Sequence, residues 1–192
     1  MSKSTIAILT IMKKIHLICA LLLFGFGSVN YCCAQSIALA KQYSNAYFGL
    51  NYPSSWQIVQ DDNQATANTA IAVQIMEKQS NNIDFRPNVN VIVSNKKWTE
   101  STSYLAKQSS QNNRQVVSTY RQIGIYDTKI DNCKGSLLEY TISINGYTLH
   151  GRQYIVKKSD NTTFTITVTT DERKDKNQMK IVNAILNSIK IK

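Results

Sequence analysis

Beyond residue 45 the chain alternates apolar and polar residues over most of its length, and a period of two predicts strands. Phe48, Leu50 and Tyr52 fall on one side of an extended segment over 47–52, which Pro53-Ser54-Ser55 then turns. A second strand over 56–59 follows, ended by Asp61-Asp62-Asn63. The third, over 70–77, directs Ile71, Val73 and Ile75 inward. The fourth, FRPNVNVIVS over 85–94, puts Val89, Val91 and Val93 on one face and Asn88, Asn90, Ile92 and Ser94 on the other. Asparagine is depleted in strands, so two at alternate positions mark this face as a candidate partner-binding surface.

The period then changes. Residues 99–115 predict a helix capped by Thr99 or Ser101, with a thin apolar stripe around Tyr104 and Leu105. Strands over 116–130, 136–144, 147–157 and 162–169 come next. Asn145-Gly146 is the strongest hairpin signal, because both residues tolerate the positive φ of a tight turn, and Ser159-Asp160-Asn161 supplies another turn. The meander is therefore antiparallel. Met179, Val182, Ile185, Leu186 and Ile189 recur at helical spacing in the last element, with Asp175 and Gln178 placed as a cap pair. Such a stripe packs on the domain's own sheet. Residues 35–44 read as a short helix or a mobile lead-in.

The first residues change the picture of where the protein resides. Met12-Lys13-Lys14 opens a basic region, residues 17–26 form an apolar core too short to span a bilayer, and Cys32-Cys33-Ala34 precedes Gln35. This is the pattern of a signal peptide over 1–34, with Met12 as an alternative start, cleaved after Ala34. The expected location is periplasmic or secreted. The alternative is a lipoprotein anchored through Cys32 or Cys33, although Tyr31 before Cys32 is a poor fit to a lipidation site. Cleavage leaves a lead-in over 35–44 and one domain over 45–192, of a size that sustains a core.

Export also reduces the available chemistry. Cys133 is the one cysteine left, so no internal disulfide forms and the fold stands on packing. His150 is the one histidine left. A Cys133–His150 dyad on successive strands is the sharpest catalytic constellation available, against the plainer reading of Cys133 as a small half-buried apolar residue. No metal-ligand spacing and no glycine-rich phosphate loop occurs, so no cofactor is expected. Loss of Lys3, Lys13 and Lys14 reduces a net charge of +10 but leaves the chain basic. That charge admits an anionic surface ligand beside an envelope protein as partner, while export removes the chain from nucleic acid. A membrane enters only through lipidation.

Three segments together resemble the PsbP-like superfamily, including its bacterial exported domains. They are Tyr47-Phe48-Gly49-Leu50-Asn51-Tyr52-Pro53-Ser54-Ser55-Trp56, the Pro87-Asn88-Val89-Asn90-Val91 strand, and the closing run IVNAILNSIKI over 181–191. Leu138-Glu139-Tyr140 is similar to the strand before that family's hairpin. The resemblance spans about 45–191 and implies an α+β fold, a three-layer α/β/α sandwich with a largely antiparallel sheet. It also makes the Asn-rich strand a fold feature, in which Asn88 and Asn90 would bond neighbouring loop backbone. Family members serve as accessory subunits, import factors, lipoproteins and chaperones, so the fold implies only a non-catalytic binding or accessory protein. A small hydrolase-type enzyme is the alternative.

Overall fold

The computed structural model describes residues 37–62, 71–79 and 85–192. The expected signal peptide, with Cys32 and Cys33, lies outside the described residues, as does Asn63. Ten strands and two helices are described: β1 (Lys41–Ser44), β2 (Phe48–Tyr52), β3 (Trp56–Asp62), β4 (Ile71–Glu77), β5 (Asn88–Ser94), α1 (Thr102–Val116), β6 (Arg121–Ile130), β7 (Cys133–Ile144), β8 (Tyr147–Ser159), β9 (Thr162–Asp171), α2 (Asp175–Ser188) and β10 (Lys190–Ile191). The segment expected as helix or lead-in instead ends in β1, which pairs with β2 from Lys41↔Tyr52 to Ser44↔Gly49.

Two meanders, β3–β5 and β6–β9, join into one seven-stranded sheet of order β3-β4-β5-β9-β8-β7-β6. All the pairings are antiparallel. The join is the long-range pair β5–β9, so the Asn-rich strand is an interior strand. On one face Val73, Ile75, Val89, Val91, Val93, Phe164, Ile166 and Val168 are buried beneath Val182, Ile185, Leu186 and Ile189, four of the helical positions read from the sequence. A small sheet of order β1-β2-β10 completes this layer and contributes buried Phe48, Leu50 and Tyr52. Each such side chain, fully buried, contributes about 1.5–3 kcal/mol.

The opposite face carries α1 over β6, β7 and β8. Ser101 caps it, its hydroxyl accepting the Tyr104 N–H at 3.2 Å. The buried stripe is Leu105, Ala106 and Ser110, whereas Tyr104 is 48 % exposed and faces away from the core. Ala106 and Ser110, four residues apart, share the face that meets the sheet, and Tyr104 lies off it. Ser110 is not apolar, but it bonds Gln122 at 2.6 Å and Tyr120 at 2.9 Å. The helix runs through Val116, so the following strand starts at Arg121 and not at 116. Asn145 and Gly146 take φ of 50° and 80°, as the hairpin signal requires.

The cap of α2 also departs from expectation. Asp171 caps a short 3-10 turn over Glu172–Lys174, and Gln178 Oε1 accepts the Asp171 N–H at 2.8 Å. Asp175 is thereby released from capping and turns to the sheet.

Candidate binding surface

Cross-strand partners share a face, so the register assembles the surface around Asn88 and Asn90. Asn90 stands between Gln74 on β4 and Thr167 on β9, and Thr167 is followed by Gln153 on β8. Asn88 stands between Met76 and Thr169, and Ile92 beside Thr165. Strands lie about 4.8 Å apart, so each row is a closely spaced line of side chains. All are partly exposed, because neighbours on a pleated face shield one another's flanks. None is charged.

Asn88 and Asn90 make no side-chain hydrogen bond to any described residue, nor do Gln74, Thr165, Thr167 or Thr169. Among the described residues the two amides hold no loop backbone. An interior strand has its backbone paired on both sides. Among the described residues nothing takes up the donors and acceptors of these amides.

Where this face meets α1, a groove of about 230 Å3 opens between the helix and β8–β9. Trp98, Gln108, Ser109 and Asn112 line it on the helix side, and Gln153 and Thr165 on the sheet side. Thr163, only 4 % exposed, also lines it, and its hydroxyl has no hydrogen-bond partner among the described residues. A buried hydroxyl left unpaired costs about 1–3 kcal/mol, which a bound polar group would recover. Positive charge gathers elsewhere, with Lys78, Arg86 and Lys174 beside the single carboxylate of Glu77 around a cleft of about 320 Å3 also lined by Phe85, Pro87 and Ile181.

The expected Cys133–His150 pair is not brought together. Cys133 opens β7, whereas His150 pairs with Thr141 toward the other end of that strand, on the order of 27 Å away. Cys133 packs partly buried against the core, and burial pushes its thiol up, away from the reactive thiolate. His150 belongs to a different cluster. The Arg152 guanidinium donates to both Asp175 oxygens at 2.7 and 2.8 Å, to Glu139 at 3.0 Å, and to His150 Nδ1 at 3.0 Å. Thr170 donates to Asp175 at 2.5 Å. The cluster ties three strands to the start of α2, and every carboxylate in it is already engaged.

Burial, then the adjacent Arg152 cation, lowers the His150 pKa from its ordinary 6.5, and these outweigh the pull of Asp175 at 3.6 Å. The unfolded chain therefore takes up a proton near pH 6.5 that the folded chain resists. This contribution to stability is complete above pH 6.5 and is lost as pH falls through the lower folded value. Urea midpoints are expected to drop between pH 7.5 and 5 in the wild type and to change less over that window in His150→Asn. Equal slopes in the two proteins would show that His150 does not govern this window.

The threonine row escaped sequence reasoning, although its signal was visible. Thr163, Thr165, Thr167 and Thr169 alternate with Phe164, Ile166 and Val168. That pattern reveals a strand with one polar face, but not that it lies against Asn88 and Asn90.

No protein-family profile and no curated sequence matches the chain. Solved structures do. The solution structure of cyanobacterial PsbP (CyanoP) from Synechocystis sp. PCC 6803 superposes with a TM-score of 0.59 at 16 % identity, over 85 % of this chain and 99 % of that one. LpqN of Mycobacterium tuberculosis, described as involved in cell envelope biogenesis, gives 0.56 at 14 % identity, over 79 % and 90 %. The Saccharomyces cerevisiae Ran-binding protein Mog1p gives 0.53 at 5 % identity, over 79 % and 94 %. The chain is an α+β protein with the PsbP/Mog1-like fold.

Proposed function

We propose that the chain is an exported, non-catalytic binding or accessory protein of the cell envelope, and that it holds a protein partner through the uncharged face around Asn88 and Asn90. The observation that carries this reading is the line Gln74–Asn90–Thr167 on an interior part of the sheet, with its hydrogen-bonding groups unspent among the described residues. Structural neighbours described as a Ran-binding protein and as a participant in envelope biogenesis support a binding role in kind, not a particular partner. The wide separation of Cys133 from His150 weighs against the hydrolase alternative.

Contacts to such a face are hydrogen bonds and packing, not ion pairs, so salt screening acts on them little. Crosslinking pull-downs from native envelopes at low and high salt are expected to recover the same protein partner. Asn88→Ala with Asn90→Ala is expected to cost about 2 kcal/mol of affinity, roughly thirtyfold in Kd, with the melting temperature unchanged. Recovery of acidic polymer alone, lost at high salt, would instead support the second reading, an anionic ligand at the Lys78, Arg86 and Lys174 cleft.

A further inference from the structure

Among the described residues β6 is an edge strand, hydrogen-bonded to β7 alone, so alternate N–H and C=O groups along its outer side have no described strand to pair with. Its near end is guarded by a bulge between Gln122 and Gly124. Its far end, from Tyr126 to Ile130, is regular. There Lys129 stands directly opposite Lys134 of β7, a like-charge pair that costs stability. Neither lysine, nor Asp127 two residues away, has an ion-pair partner among the described residues. Asp127, Thr128, Lys129 and Lys134 line a surface concavity, and Tyr126 beside them is 48 % exposed.

We propose that β6 pairs antiparallel with β6 of a second copy of this chain, about a twofold axis through Thr128, extending the sheet across the dimer. The register follows from charge. Centring on Thr128 sets Asp127 opposite Lys129 of the other copy, twice by symmetry, and Tyr126 opposite Ile130. Asp127 and Lys129 lie on the same face as Ser136 and Lys134, so each new pair is properly side by side. Centring one residue earlier places Asp127 against Asp127, and one later places Lys129 against Lys129. Centring two residues earlier runs the pairing into the bulge. Within the regular stretch Tyr126–Ile130 only the Thr128 register sets a carboxylate on the open side of Lys129, where it offsets the Lys129–Lys134 repulsion. With about five residues per strand the contact falls below the roughly 1,200 Å2 of stable interfaces, so the dimer is a weak one.

Sedimentation equilibrium of the protein over roughly 5–500 µM at low salt tests this, since weak self-association shows as a monomer–dimer equilibrium only toward high concentration. A reversible equilibrium with no larger species is expected. Asp127→Lys and Lys129→Asp should each weaken association at least about tenfold, and the double swap Asp127→Lys/Lys129→Asp should restore it, because opposite charges again face one another. Both side chains are exposed, so the variants are expected to fold, and Lys129→Asp should raise the monomer's melting temperature by removing the repulsion with Lys134. A monomer at every concentration, single swaps that associate like the wild type, or a double swap that does not recover would each overturn the proposal.

Discussion

Trp56→Ala is expected to destabilise the protein by about 4 kcal/mol, within the range for truncating a buried aromatic side chain. For a domain of this size that lowers the melting temperature by roughly 10 °C. Trp56 is fully buried at the start of β3, just after the turn in which its N–H bonds the Pro53 carbonyl at 3.0 Å. Alanine would leave a void in the core that lies between the large sheet and the layer of α2 and the small sheet. The indole Nε1 has no hydrogen-bond partner among the described residues. Trp56→Phe therefore removes an unsatisfied donor together with some volume, and the two effects oppose. Thermal unfolding of both variants checks this, with phenylalanine expected to retain most of the stability that alanine loses. Equal losses would mean that the indole N–H is satisfied in solution.

Arg152→Met is expected to cost about 3 kcal/mol, because it strands two partly buried carboxylates rather than merely deleting a contact. Their side chains keep 22 % and 23 % exposure, at Glu139 and Asp175, which places the loss at the low end for a broken buried pair. In the wild type burial pushes the Asp175 carboxyl up, but the Arg152 and Thr170 hydrogen bonds and the Arg152 charge bring it below the ordinary 3.8. Without Arg152 the burial effect remains unopposed by that cation. The folded carboxyl would then hold its proton to higher pH than the unfolded one, so the variant's deficit is expected to shrink as pH falls toward 5. Arg152→Lys should not rescue fully, since an ammonium cannot span Glu139 and both oxygens of Asp175 as the planar fork does. Urea unfolding at pH 7.5 and 5 reads the effect. A deficit that is constant with pH would place the loss in packing instead of charge.

Those two positions differ in how far the sequence disclosed them. Trp56 is legible as a core residue, being a large aromatic at the start of a strand beside a turn signal. Arg152 reads as one more charge in a basic chain, and Asp175 as a helix cap. Their bond depends on α2 landing over β8, which no local pattern encodes. The cap assignment failed for a related reason. Asp171 and Asp175 are both acceptable N-terminal residues, and the 3-10 turn over Glu172–Lys174 decided between them. Tyr104 was misplaced because a thin stripe leaves the helix phase undetermined, and buried Ser110 is not an apolar mark. β1 was missed because a four-residue strand with one buried position carries little periodicity.

By itself the amino-acid sequence determined the alternation of most strands, the Asn145-Gly146 hairpin, the phase of α2 and the split of β5 into a valine face and an asparagine face. These are local properties, set by side-chain chemistry within a few residues and by turn residues that admit only certain backbone angles. The tertiary structure alone decided what stands next to what. It set β5 against β9, placing Asn88 and Asn90 in line with threonines, and it spread Cys133 and His150 toward opposite ends of β7. It also gathered Arg152 and His150 of β8, Glu139 of β7 and Asp175 of α2 into one cluster. The reason is physical: strand order in a sheet is selected by the collective burial of both faces, so the neighbours of a polar residue are fixed by long-range packing and not by its flanking sequence.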